Sequence, residues 1–184
     1  GEHLGAQAGI DLYFGTFAKA FAAIGGVTAG EKDVVEWVRY NARTNVFAKA
    51  LPHVYVRTVG EALRIVETEP ELRERMWAIT RRLQQGLVEQ GFDIGETESP
   101  ITPVYAMAGD EKTAMSMIVL LREQFGVFVS AVTYPVVPRG VILFRMIPTA
   151  AHSEEDVDRT VAAFGKMRDT LKLDLSTKPS QLNR

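Results

Sequence analysis

The chain contains no cysteine. That excludes disulfides, thiolate metal sites, iron–sulfur clusters and thiol nucleophiles together, and it suits a chain needing no oxidising compartment, so the cytoplasm is the expected location. A surplus of basic charge is missing too: 21 Lys and Arg stand against 23 Asp and Glu, for a formal net charge of −2. No sequence-wide electrostatic reason therefore exists to expect a nucleic-acid partner. The longest apolar runs, such as MSMIVLL at 115–121, fall far short of the roughly 18 residues needed to cross a bilayer, so no transmembrane segment is expected. The three histidines, His3, His53 and His152, share no ligand spacing, and no metal site is expected. The opening GEHLGAQAGID lacks the basic start and apolar run of a secretory signal and reads like the interior of a longer protein.

What is present is 184 residues, 46% hydrophobic and 24% charged, enough apolar mass for a sizeable core. Residues 10–14 form a short apolar run stopping at Gly15-Thr16, and 24–29 a second one carrying Gly25-Gly26; both read as strands. Residues 31–41 read as a helix with Val34, Val35, Trp37 and Val38 inward, and 44–52 as an extended stretch. A helical region over about 54–90 is interrupted at Pro70, where Thr68 and Glu71 have capping-box spacing. The second helix carries Leu72, Met76, Ile79, Leu83 and Leu87 as its inward stripe, with Gly91 at its C-terminal cap. Its arginines, Arg73, Arg75, Arg81 and Arg82, are interleaved with glutamates and read as a solvated face.

Beyond Gly91 the pattern is strand, helix, strand, strand, helix. Strands are expected at 103–107, 127–132 and 141–147, joined by Tyr134-Pro135-Val136-Val137-Pro138 as a rigid connector. The first helix is capped by Asp110 and buries Ala114, Met117, Ile118, Leu121 and Phe125; the second starts at Ser153 with Asp156 and buries Val157, Val161, Phe164 and Leu171. Residues 175–184 read as a frayed polar tail.

Two side chains stand out chemically. Lys19 lies among Thr16, Phe17, Ala18, Ala20 and Phe21. An apolar turn strips hydration from an ammonium and favours the neutral amine, the form that makes a Schiff base with an aldehyde. Thr16, three residues earlier, has a hydroxyl to offer an anion beside it. The competing reading is a lysine snorkelling at a strand end. Arg145 sits inside Val141-Ile142-Leu143-Phe144-Arg145-Met146-Ile147. A guanidinium cannot shed its charge, so burial there calls for an anion, and its planar fork suits a carboxylate. The competing readings are an ion pair with the chain's own carboxylates and an edge position facing water.

Gly15-Thr16-Phe17-Ala18-Lys19-Ala20, the Gly25-Gly26 pair, the connector at 134–138, the Arg145 strand and Thr149-Ala150-Ala151-His152-Ser153 together resemble the α-oxoamine synthases, in order and over roughly residues 1–172. Asn41-Ala42-Arg43, residues 47–52 and residues 91–100 are similar to the bacterial serine palmitoyltransferase branch, with 2-amino-3-ketobutyrate CoA ligase and 8-amino-7-oxononanoate synthase as the neighbouring alternatives. The resemblance implies a pyridoxal 5'-phosphate-dependent acyltransferase that condenses an amino acid with an acyl-CoA with loss of CO2, working as a homodimer. It implies that Lys19 holds the cofactor and moves the Cα proton, that Thr16 contacts the cofactor phosphate, and that Arg145 binds the substrate carboxylate. Relatives often carry hydroxyl residues that reach a neighbouring subunit's cofactor phosphate where Ala48-Lys49-Ala50 stands, so either Lys49 supplies a cation there instead or the contact is absent.

The implied fold is α/β with an α+β C-terminal domain, the C-terminal portion of an aspartate aminotransferase-like type I fold. Its expected divisions are 1–52 for the end of the large cofactor-binding domain, 53–90 for a connecting helical region, 91–174 for the small domain and 175–184 for the tail. The family's upstream segment, with the Asp that pairs with the pyridinium nitrogen and the His that stacks on the ring, is not in these residues, so the chain alone is expected to be incomplete for activity. The reading from another class is a non-catalytic binding or scaffold domain that keeps the fold.

Overall fold

The computed structural model describes residues 1, 4–109 and 111–181. The chain falls into two compact units, Gly1–Pro70 and Glu71–Arg184.

In the first unit, strands β1 (Leu12–Thr16) and β2 (Gly26–Gly30) pair antiparallel, from Leu12 opposite Gly30 to Thr16 opposite Gly26. The second strand begins later than the apolar run suggests because Gly25 turns the chain at φ +103°. Gly26 is equally constrained, since a Cβ there would stand 2.7 Å from the Gly15 carbonyl oxygen. Helix α1 (Lys32–Asn41) forms as expected, but its apolar stripe is not inward: Val34 is 48% and Trp37 67% exposed, while Val35 and Val38 are half-buried. A single hairpin with short helices offers no second layer to cover that stripe.

The extended reading of 44–52 is corrected as well. Arg43–Phe47 is helix α2. The Asn45 side-chain amide donates to the Arg39 carbonyl at 2.7 Å, and its backbone N–H donates to Ala42 at 2.9 Å. Such local bonding overrides the β preference of Thr44 and Val46. Helix α3 (His53–Thr68) runs through the expected cap: Thr68 is its last residue and its hydroxyl donates back to the Arg64 carbonyl at 2.8 Å, leaving no capping box with Glu71. Pro70 then opens α4 (Pro70–Glu89), at the helix position where a missing N–H costs nothing.

The second unit packs α4, α5 (Glu111–Phe125) and α6 (Glu154–Leu171) with a three-stranded antiparallel sheet of order β3 (Thr102–Gly109), β5 (Gly140–Met146), β4 (Ser130–Val132). Ile79, Leu83 and Leu87 join Met117 and Leu121, Phe164 and Met167, and Val104, Ile142 and Phe144 in one core. Of the expected α4 stripe, Leu72 is exposed and Met76 half-buried. Helices α4 and α6 run parallel, because contacts climb both together: Arg82 meets Asp158, Gly86 meets Val161, and Gln90 meets Gly165 and Arg168. A Cβ on Gly86 would lie 2.8 Å from the Val161 side chain, so that close approach requires glycine.

Gly91, at φ +88°, closes α4 in a Schellman motif: its N–H donates to Val88 and that of Phe92 to Leu87. The Ser153–Asp156 capping box on α6 is present with both reciprocal bonds. The expected Asp110 cap lies outside the described residues. Residues 175–181 are not frayed. Leu175 packs against the core, Pro179 is buried, and the Asp93 carboxylate accepts hydrogen bonds from the Ser180 N–H (2.9 Å), the Ser180 hydroxyl (2.8 Å) and the Gly95 N–H (2.9 Å).

Two outcomes follow for stability. Phe164 meets Phe92 and Phe144 edge-on, with ring centroids 5.5 and 5.6 Å apart. Phe164→Ala is expected to lower the unfolding free energy by about 3–5 kcal/mol in equilibrium urea titration. At Asp93, burial pushes the carboxyl pKa up, but the Ser180 and Gly95 donors and the charge of Lys178 outweigh it and hold the carboxyl below its ordinary value. A folded value below the unfolded one stabilises fully above the unfolded pKa of about 3.9, and that stabilisation drains away as pH falls through the folded value. The urea midpoint should therefore fall more steeply with acid in the native sequence than in Asp93→Asn, measured between pH 5 and 2.

Candidate functional site

Lys19 stands in the turn that joins β1 to β2. The ladder continues past Thr16: the Phe17 N–H donates to the Gly25 carbonyl at 2.9 Å, and the Ala23 N–H donates to the Phe17 carbonyl at 2.9 Å. Inside this closed loop the Ala22 N–H donates to the Lys19 carbonyl at 3.0 Å, and Ala22 itself is left-handed at φ +49°. That conformation costs an L-residue roughly 1–2 kcal/mol, and such strain clusters where a backbone must hold a functional group in place. Phe17 and Phe21 pack edge-on at 5.5 Å across the loop, and Ala23 is buried beneath it. The Thr16 hydroxyl accepts from the Ala18 N–H at 3.2 Å, placing it on the same turn as Lys19.

The structure corrects one expectation here. Lys19 is exposed, not stripped of water by its apolar neighbours. Phe17 and Phe21 turn toward each other, and the first unit supplies no surface over the amine. Among the described residues Lys19 has no ion-pair partner. Lys49 is also exposed, on the segment that follows α2.

Arg145 lies on β5, the central strand of the second sheet, opposite Pro103 on one side and Ser130 on the other. Along β5, Ile142, Phe144 and Met146 are buried and Arg145 is exposed, as the two-residue repeat of a strand requires. The expected burial is therefore corrected. Nor is it an edge position: the open face of the sheet, and not its edge, gives the guanidinium its access. Among the described residues it makes no ion pair with any carboxylate of the chain.

A cavity of about 520 Å³ opens beside Arg145, walled by Ser130, Phe128, His152, Asp156 and Arg159. The His152 Nδ1 accepts from the Thr149 N–H at 3.0 Å. In the neutral ring that bond leaves the proton on Nε2, and the same ring lines the cavity. The Asp156 carboxylate is engaged by the Ser153 N–H and hydroxyl, both at 2.8 Å. Those bonds hold its pKa below the ordinary value. Ser130, His152 and Arg159 were not legible as site residues, because they meet only where β4, the β5–α6 connection and α6 converge. Among the described residues no cluster of His, Asp or Glu is arranged to hold a metal ion, and no helix is long and apolar enough to cross a membrane.

With that geometry established, comparison with known proteins gives four results. A profile described as aminotransferase class I and II matches residues 2–164. The chain is 49% identical over 172 residues to the cysteate-C-fatty acyltransferase of Capnocytophaga ochracea, covering 94% of this chain and 41% of that protein. It is 39% identical over 172 residues to an 8-amino-7-oxononanoate synthase of Symbiobacterium thermophilum, covering 94% and 43% respectively. Among solved structures, the Sphingomonas wittichii serine palmitoyltransferase matches with a TM-score of 0.84 at 29% identity, over 93% of this chain and 43% of that one. The chain thus spans 41–43% of the length of these relatives.

Proposed function

The chain belongs to the aminotransferase class I and II family, in the α-oxoamine synthase group, and from that premise we propose that it is part of a pyridoxal 5'-phosphate-dependent acyltransferase. The reaction joins the Cα of an amino acid to the carbonyl carbon of an acyl-CoA, breaks the thioester C–S bond to free CoA, and releases the amino-acid carboxylate as CO2. What supports this most is that neither Lys19 nor Arg145 is consumed by an ion pair among the described residues.

The residues present fit the cofactor on the side that they supply. An amine with no ion-pair partner among the described residues and, three residues before it, a hydroxyl whose own donation, to the Gly25 carbonyl, is a long 3.5 Å share one rigid turn, the donor set that an aldehyde with a phosphate arm requires. When bound, pyridoxal phosphate supplies a ring that draws electrons from the amino-acid Cα. Lys19 would hold the cofactor through its Nζ and would take the Cα proton and return it to the product. Thr16 directs its hydroxyl to the phosphate. Arg145 binds the amino-acid carboxylate with its guanidinium fork. Lys19 is exposed, so these roles require a surface over it that the first unit does not provide; a second copy in a homodimer, together with the remaining length of the protein, is the proposed source.

The motifs at 41–52 and 91–100 support L-serine with a long-chain acyl-CoA, hence serine palmitoyltransferase activity. The 49% identity to a cysteate fatty acyltransferase favours a second reading, cysteate as the amino acid. Turnover by the full-length protein with palmitoyl-CoA and L-serine, L-cysteate, glycine or L-alanine tests both. Lys19→Ala is expected to abolish turnover. Arg145→Ala should weaken amino-acid binding by about tenfold or more while cofactor affinity changes little. Full turnover by Lys19→Ala would refute the role given to Lys19, and no turnover by the full-length protein with any of the four amino acids would leave the scaffold reading standing.

A further inference from the structure

The register of the second sheet decides which side chains share a face with Arg145. Its Cα partners are Ser130 on β4 and Pro103 on β3, and the neighbouring row on the same face is Val132, Leu143 and Tyr105. Residues directly opposite in an antiparallel pair point to the same side with Cβ atoms about 4.5–5.5 Å apart, while diagonal neighbours stand about 7–8 Å away. Burial agrees with this assignment. Ala131, Phe144 and Val104 form a row on the core side, whereas Ser130 and Arg145 are both exposed.

Of these neighbours only Tyr105 and Ser130 carry a polar side-chain atom. Tyr105 is diagonal to Arg145, and its ring lies against the 93–95 turn, where a Cβ on Gly95 would stand 3.5 Å from its Cε2. Ser130 is directly opposite, and its hydroxyl makes no hydrogen bond among the described residues. The two flanks of Arg145 therefore differ. The half-buried Pro103 ring fills one and offers no donor, while the short Ser130 side chain leaves the other open and offers an O–H. Since β4 is the edge of the sheet, no further strand stands beyond Ser130.

A carboxylate has about four lone-pair sites, and a guanidinium fork takes two of them. Bound on the β4 side of that fork, it brings its remaining lone pairs over Ser130. We infer that Ser130 is a substrate-binding residue whose hydroxyl donates to the α-carboxylate that Arg145 pairs with, holding the amino acid on the β4 side of the guanidinium. This rests on the function proposed above and adds a second donor to its amino-acid site.

The test uses the full-length protein loaded with its cofactor. Dissociation constants come from the absorbance change on adding L-serine or L-cysteate, and ethanolamine or taurine, the amines that lack the α-carboxylate of each. Ser130→Ala should weaken amino-acid binding about five- to tenfold and leave that of the matching amine within about twofold. Ser130→Thr keeps the hydroxyl and should stay within about threefold of the native protein. In an Arg145→Ala background the loss from Ser130→Ala should shrink below about twofold, because the two residues act on one group. Unchanged amino-acid affinity in Ser130→Ala, or equal weakening of amino acid and amine, overturns the role of Ser130. Failure of the native protein to bind any of these probes overturns instead the function on which it rests.

Discussion

The antiparallel pairing of β1 with β2 governs where the Lys19 amine can be. Five residue pairs lock the strands in register, and the bond from the Phe17 N–H to the Gly25 carbonyl extends the ladder by one step. The loop that remains must reverse within a few residues. Gly25 supplies a positive φ, Gly26 yields to the Gly15 carbonyl, and Ala22 accepts a left-handed backbone. With the backbone so fixed, Lys19 retains only the freedom of its own side chain, and Thr16 remains at the base of the same turn. A looser loop would need to order the amine at each encounter, with the entropic cost that ordering carries.

The second unit fixes the position of the Arg145 guanidinium in the same way. Its sheet buries alternate residues of β5 against the helices and so presents Arg145 on the opposite face. The capping box at the start of α6 holds the Asp156 carboxyl below its ordinary pKa, and the charges of His152 and Arg159 act in the same direction.

Most of the second unit was legible in the sequence. Its strand–helix–strand–strand–helix order, the Ser153–Asp156 box, the Gly91 cap and the apolar stripes of α5 and α6 are local patterns that a packed core enforces. The failures occurred where local pattern and tertiary context part. Trp37 and Val34 form an amphipathic stripe with no opposing layer, and Thr68 bonds back along its own helix in place of capping the next. Asn45 makes a short helix out of a β-branched stretch, and Ser180 pins down a segment whose polarity suggested fraying. Lys19 and Arg145 stood out by residue type against apolar neighbours, yet that same reasoning expected them to be buried. Apolar neighbours in sequence do not desolvate a side chain unless they also surround it in space. Arg159 gave no signal, since a charged residue on a helix face looks solvated until the cavity beside it is seen.

The central claim is that the Lys19 amine carries the cofactor aldehyde. Borohydride reduction of the full-length holoenzyme, followed by proteolysis and mass spectrometry, tests it directly. The account predicts a phosphopyridoxyl adduct on the peptide containing Lys19, with loss of the cofactor's visible absorbance. An adduct on Lys49 or another lysine, with Lys19 unmodified, would contradict it.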